Sequence, residues 1–208
     1  MSKPKDRHLL EATLTNIEVA IDAVTSNEAV AAIPVIGTAF KVCKGIDDLR
    51  SRAFAAKLRK FVLSPDLCKP AAKEAILKKV QASPEDAEKV GETLFLVLDR
   101  LIDLDKPEIL AKVFVAFIDS QISAEELQRL AQAIDIAYCG DIHALLKAEE
   151  SIINGATLDA NPPWMKTLIP SGLTINSAGG VGVVKTKNEA TPLGRLLWKA
   201  WRHRLAEP

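Results

Sequence analysis

Apolar residues recur at intervals of three and four along most of the chain, which is the spacing of one face of an α-helix. The first such stripe predicts a helix between Arg7 and Ser26 and consists of Leu10, Leu14, Ile17, Ile21 and Val24. A break at Pro34 to Gly37 precedes a long amphipathic helix over Phe40 to Leu63, which should end near Ser64-Pro65. The first third of the chain is therefore predicted to be helical.

Proline and capping residues mark the starts of further helices. Four starts are indicated, at Pro70, at Ser83-Pro84, at Asp105-Lys106-Pro107 and at a capping box that begins with Ser123. The first, second and fourth of these helices are predicted to end near Val80, Asp103 and Tyr138, and the apolar face of the third includes Ile118. Gly140-Asp141 is predicted to separate the last of them from one more helix, which ends at about Ile152.

The pattern changes after Asn154-Gly155. Two short runs rich in β-formers, Leu173 to Ile175 and Val181 to Thr186, flank a glycine-containing loop at Ser177 to Gly180 and predict a hairpin. Asn188 to Thr191 is then predicted to be a turn, and Thr191-Pro192 to cap a terminal helix that Trp198 and Trp201 anchor to the body. The predicted fold is mainly α: a multi-helix bundle domain over residues 1–155, and a C-terminal module of hairpin and helix over residues 156–208, packed on the bundle or appended to it.

Composition agrees with this fold class. Hydrophobic residues make up 48% of the chain and aromatic residues only 5%, so the core must consist mainly of Leu, Ile, Val and Ala, which suits helix packing. Cys43, Cys68 and Cys139 lie far apart and are expected to be reduced thiols. The charged N-terminus lacks the pattern of a signal peptide, and no apolar run reaches the roughly 20 residues that span a bilayer. These features predict a cytoplasmic protein without a transmembrane segment.

Charge is unevenly distributed, although the net charge is zero. Residues 41–60 carry seven basic residues against two acidic ones, whereas residues 85–150 carry fifteen acidic residues against six basic ones. Such asymmetry fits charge complementarity inside the protein or a patchy surface for a partner. The candidate partner-binding residues are Arg50, Arg52, Lys57, Arg59 and Lys60. The same amphipathic pattern is also found in ordinary surface helices and in helices that lie on membranes.

Catalytic motifs are missing from the sequence. The glycines at 179, 180 and 182 lack the spacing of a phosphate-binding loop before Lys185, and the three histidines have no partners at metal-ligand spacing. Asp99, Asp103 and Asp105 could divide acid and base roles, but at a helix end solvated carboxylates are the commoner case. The sequence predicts neither an enzyme nor a bound cofactor or metal.

The last forty residues resemble the wing and final helix of winged-helix proteins. The resemblance is carried by Ser171-Gly172-Leu173, the predicted hairpin and the Thr191-Pro192-Leu193-Gly194-Arg195 phrase, in that order. In that family basic wing residues contact DNA phosphates, which implies that Lys185 and Lys187 contact nucleic acid. The sequence departs from the family because the preceding helix, which contains Asp141, is acidic and would repel phosphate.

Over most of its length the chain resembles small helical bacterial proteins of the abortive-infection alpha family. The resemblance rests on Ile33-Pro34-Val35-Ile36-Gly37, on Gly45 to Arg52 and on the Thr191 to Arg195 ending. It implies a bacterial cytoplasmic protein that acts in phage defence through a protein partner, and it transfers no catalytic residue. The leading hypothesis is thus a non-enzymatic interaction or regulatory protein. The alternatives are a DNA-binding regulator and a membrane-perturbing effector that uses Ala29 to Phe61.

Overall fold

The computed structural model describes residues 32–33, 49–154, 162–179 and 185–204. In these ranges it is mainly helical, with one two-stranded antiparallel sheet. The elements are α1 (Leu49–Val62), α2 (Pro70–Ala82), α3 (Pro84–Arg100), α4 (Lys106–Ile118), α5 (Ala124–Ile136), α6 (Cys139–Lys147), α7 (Glu150–Ile153), α8 (Pro163–Thr167), a 3₁₀ turn (Ile169–Ser171), β1 (Thr174–Gly179), β2 (Lys185–Ala190) and α9 (Pro192–Arg202). The predicted fold class is confirmed. The predicted first helix, the break at 34–37, the start of the second helix and residues 181–184 lie outside the described residues.

Helix starts follow the local signals in the sequence. Pro70 and Pro84 occupy the first position of α2 and α3, where the missing N–H costs nothing. The predicted capping box of α5 is formed: the Glu126 backbone N–H donates to Ser123 Oγ at 3.1 Å, and the Ser123 N–H donates to Glu126 Oε2 at 2.8 Å. Local chemistry therefore sets these boundaries.

The chain divides into two compact units, with the boundary inside α4 between Ala111 and Lys112. In the first unit α1 and α2 both pack on α3. The rings of Phe54 in α1 and Phe95 in α3 meet edge to face with centroids 5.3 Å apart. Fully buried side chains of this core include Phe61, Leu67, Ile76, Leu94 and Leu98. The apolar stripe of α1 is thus part of a helical core.

In the second unit α9 packs on α5 and α6, and the hairpin packs on α8. Thr191 caps α9 because its Oγ1 accepts the Gly194 N–H at 3.0 Å, and the Thr191 N–H donates to the Leu173 carbonyl at 3.0 Å. Gly194 lies so close to the Leu173 backbone that a side-chain carbon has no room there. The start of α9 is therefore fixed against the chain that enters β1. The division of the sequence at residue 155 stays a prediction.

The prediction that Gly140-Asp141 separates two helices is wrong. Both residues lie in the first turn of α6, and the chain turns earlier, where Ala137 and Tyr138 have extended backbone. Asp141 belongs in this first turn because a carboxylate is favourable near the positive end of the helix dipole. The break that ends the helix comes instead after Lys147, where Ala148 is extended.

The predicted turn at Asn188 to Thr191 is also wrong over its first three residues. Residues 188–190 belong to β2, and their partners in β1 are residues 176, 175 and 174. Residues 177–179, predicted to be loop, lie in β1. The turn-forming reputation of Asn188 is overridden because its backbone pairs with Asn176 and its side chain is buried.

The end of α4 has the geometry of a Schellman motif. The Gln121 N–H donates to the Ala116 carbonyl and the Ser120 N–H donates to the Phe117 carbonyl, each at 2.9 Å. Ser120 adopts the left-handed conformation at φ 57°, where glycine is the usual residue. Nowhere in the described part of the chain does a helix have the length and apolar character needed to cross a bilayer.

Candidate functional site

Lys57 of α1 is buried and holds the end of α3. Its side chain is 7% exposed, and its Nζ donates to the carbonyl oxygens of Asp99 at 2.6 Å and Leu101 at 2.8 Å. The last carbonyls of a helix lack partners within the helix and carry the negative end of its dipole, so an ammonium group is well matched to them. Because these carbonyls are already satisfied, α3 can end at Arg100, before the predicted Asp103.

The chain between α3 and α4, residues 101–105, is called here the α3–α4 loop. Lys60 lies one turn beyond Lys57 on α1, and its Nζ is 3.0 Å from Asp105 Oδ1. The Asp105 N–H donates to Asp103 Oδ1 at 2.8 Å, which closes a local turn of the kind that Asp side chains favour. The loop is thus attached to α1 at both of its ends.

The fixed loop presents apolar side chains to solvent. Ile102 is 98% exposed, Leu104 is 47% exposed, and Leu96 on the last turns of α3 is 57% exposed. Single exposed apolar residues are common, but Ile102 is the most exposed large apolar side chain among the described residues, and two exposed leucines are near it in the chain. Ile102, Leu104 and Leu96 are called here the apolar face. Its chemistry suits an apolar pocket on another protein.

The predicted partner-binding residues of α1 fall into different environments. Lys57 and Lys60 are brought together at the α3–α4 loop, where their contacts are internal to the protein. Arg52 and Arg59 are half-buried and have partners of their own. Arg50 lies in α1, but its side chain is not among those described. The partner-binding role of this set stays a prediction.

The two lysines predicted to contact nucleic acid lie on β2. Lys185 pairs with Gly179 and Lys187 with Ser177, whose Oγ donates to the Lys187 carbonyl at 3.2 Å. Alternate residues of a strand share a face, so Lys187 and Glu189 are on the same side of the hairpin. The carboxylate of Glu189 lowers the positive charge of that side. Nucleic-acid contact here stays a prediction.

Two of the three carboxylates considered for acid and base roles, those of Asp103 and Asp105, form contacts that hold the α3–α4 loop. Asp105 is paired with Lys60, and the Asp103 carboxylate accepts the Asp105 N–H. Among the residues that the structure describes, no group of three or more His, Cys, Asp and Glu side chains could hold a metal ion. The arrangement around Asp99 to Asp105 therefore supports the shape of the loop.

Sequence reasoning missed the apolar face. The prediction extended α3 to Asp103 and treated residues 99–105 as a source of carboxylates. The available signal was the alternation of apolar and acidic residues from Ile102 to Asp105, because a period of two is not the period of a helix.

Comparison of the chain with protein-family models, with curated proteins and with solved structures found no match.

Proposed function

We propose that the protein is a non-enzymatic interaction protein and that it binds a partner protein through the apolar face of the α3–α4 loop. The observation that carries the proposal is the 98% exposure of Ile102 on a loop that Lys57 and Lys60 hold in place. A loop whose backbone is already held loses little backbone entropy on binding, so more of the burial of Ile102 contributes to affinity. The partner would offer an apolar pocket for Ile102 and Leu104.

The charges around the loop add a requirement on the partner. Asp103 and Asp105 both lie beside the apolar face, and Lys60 balances one of these two carboxylates. Carboxylates at the rim of an interface favour basic residues on the partner and raise the association rate. An apolar pocket with a basic rim is therefore the surface that this loop would recognise.

The cellular setting is part of the same proposal. The resemblance to the abortive-infection alpha family supports a bacterial, cytoplasmic protein in phage defence, and the uneven charge of the chain supports a role through surfaces. A contact with duplex DNA through Lys185 and Lys187 is the alternative. The third hypothesis is a membrane-perturbing effector that uses Ala29 to Phe61. It would require the apolar residues of α1 to face a membrane, whereas Phe54, Leu58 and Phe61 are buried in the first unit.

The test compares Ile102→Ser with a matched control, Leu77→Ser, which changes an exposed apolar residue of α2 in the same unit. The full chain and each variant are immobilised at equal density, exposed to bacterial lysate, and the retained proteins are quantified by mass spectrometry. We expect at least one protein to be retained by the wild type and by Leu77→Ser and lost with Ile102→Ser. An identical set of proteins for all three chains would contradict the proposal.

Two further measurements separate the other readings. Sedimentation of wild type and Ile102→Ser shows whether the apolar face joins two copies of this chain; a dimer that Ile102→Ser dissolves would make the partner a second copy. Binding to duplex DNA that weakens with salt and with Lys187→Gln would instead support the DNA alternative. Binding of either kind that Ile102→Ser leaves unchanged would assign the function to another surface.

A further inference from the structure

A second surface lies in the other unit, at the end of α9. An open cavity of about 360 Å³ is formed by α9, the end of α4 and the turn that follows it. It is called here the α9 groove, and it is lined by Ala116, Ile122, Leu196, Trp198, Lys199, Ala200, Gln121, Arg202 and His203. Its lining is mostly apolar, and its charged side chains are Lys199 and Arg202.

Arg202 is held in a fixed position beside this groove. Its guanidinium donates to the carbonyls of Leu146 at 2.8 Å and Ala148 at 3.2 Å, and it stacks on the Trp198 ring at 3.7 Å. Trp198 is itself fixed, because its Nε1 donates to the Ala148 carbonyl at 3.0 Å. A guanidinium has five N–H donors, and these two carbonyls take two of them. Arg202 therefore offers an oriented cation with donors to spare.

Lys199 lies one turn before Arg202 and is exposed. Its side chain forms no hydrogen bond or ion pair with any other residue that the structure describes. On the other side of the groove, His203 Nε2 is 2.8 Å from Asp119 Oδ2, and the Gln121 amide also contacts that carboxylate. The Asp119 carboxylate thus lies against His203 and Gln121, whereas the cations of Lys199 and Arg202 form no ion pair with a described residue. The groove therefore presents two cations beside an apolar lining.

We propose that the α9 groove binds a small aliphatic carboxylate, with the carboxylate on Lys199 and Arg202 and the hydrocarbon chain over Leu196, Ala200 and Ile122. Charge complementarity selects the anion, and the apolar lining selects the aliphatic body. A volume of about 360 Å³ is within the range of small-molecule sites. The size of the groove therefore suits a small ligand.

Isothermal titration of the full chain tests this assignment with three probes. Octanoate carries both features, acetate has the carboxylate alone, and octan-1-ol has the aliphatic chain alone. We expect octanoate to bind one per chain and at least about tenfold more tightly than octan-1-ol, since a charge-assisted hydrogen bond contributes about 1.5 kcal/mol or more, which is about tenfold. Octanoate should also bind more tightly than acetate, which has no hydrocarbon chain to bury. No binding of octanoate, or equal binding of octan-1-ol, would overturn the proposal.

Two variants locate the site. Lys199→Gln removes the exposed ammonium and should weaken octanoate about tenfold, whereas Lys166→Gln, on an exposed lysine of α8 that does not line the groove, should leave it unchanged. Circular dichroism verifies that both variants fold. An equal effect of the two substitutions would place octanoate elsewhere. An acetylated Leu-Glu-Leu-Glu-Leu peptide is a further probe. If it bound more tightly than octanoate, the proposal of a small ligand would be overturned, and an acidic peptide would be the better assignment.

Discussion

Gly194→Ala should destabilise the second unit, although alanine is the better helix former. In an unobstructed helix this change contributes about 0.5–1 kcal/mol of stability. At Gly194 the added carbon would lie 2.0 Å from the Leu173 carbonyl oxygen, and ordinary contact begins at 3.4 Å. The atom met is backbone, so α9 and the entry to β1 must separate by more than an ångström.

The size of the effect follows from what that separation breaks. Two groups of Thr191 are hydrogen-bonded to this stretch of chain: its N–H donates to the Leu173 carbonyl at 3.0 Å, and its hydroxyl is 2.7 Å from the Gly172 carbonyl and 3.2 Å from that of Leu173. Each is worth about 1 kcal/mol, and forcing an extra carbon into a packed contact costs about 1–3 kcal/mol. After the gain in helix propensity we expect a net loss of about 2–4 kcal/mol.

Gly140→Ala is the matched control in the same unit. Its added carbon would lie 2.9 Å from Cε1 of Tyr138, a ring that is 72% exposed and can turn aside. Gly140 is in the first turn of α6, so the substitution should be neutral or should raise the free energy of unfolding by up to about 1 kcal/mol. Of the two glycine substitutions, only Gly194→Ala is thus expected to lower the free energy of unfolding.

Urea denaturation followed by tryptophan fluorescence measures this difference directly. All three tryptophans, Trp164, Trp198 and Trp201, belong to the second unit, so the signal reports on the unit that contains both glycines. We expect the midpoint to fall for Gly194→Ala and to hold or rise for Gly140→Ala. If Gly194→Ala were as stable as the wild type, the close approach of α9 to Leu173 would be refuted.

Three further substitutions test other contacts. Ser120→Gly should be more stable than Ser120→Ala by about 1 kcal/mol in urea denaturation. Both variants lack the hydroxyl, and only glycine adopts positive φ without strain, so equal stabilities would exclude the left-handed conformation. Lys57→Met should lower the free energy of unfolding of the first unit by about 2–3 kcal/mol, because two carbonyls lose a charged donor. Urea denaturation followed by far-ultraviolet circular dichroism measures this, and an unchanged midpoint would contradict the buried contact. Ser123→Ala should lower the free energy of unfolding by about 1 kcal/mol, measured by urea denaturation, because the capping box is lost. An unchanged free energy of unfolding would mean that the box contributes nothing.

Local signals in the sequence were sufficient for most helices of the described chain. Pro70, Pro84 and the Ser123 capping box each act within one turn, so the chemistry that starts the helix is visible in a few residues. The hairpin strands were less predictable. The bounds of β2 depend on pairing with β1, and the propensities of Asn188 and Ser177 point to turns.

The candidate site could not be predicted because its contacts join distant parts of the chain. Lys57 is 42 and 44 residues from the two carbonyls that it binds, and the charge pattern alone placed it on a solvated basic face. Once Lys57 is turned inward, the α3–α4 loop is held and Ile102 points to solvent. The α9 groove depends in the same way on the Trp198 and Arg202 bonds to the end of α6, about 50 residues earlier.

The bonds from Lys57 to the end of α3 also couple recognition to folding. They form only when α1 has packed against α3, so the loop has its native shape only in the folded first unit. Any molecule that binds the loop in that shape and not the unfolded chain must stabilise the unit by mass action, in proportion to the logarithm of its concentration. The melting temperature of the first unit is therefore a thermodynamic gauge of occupancy, which would register a partner even where no complex survives purification.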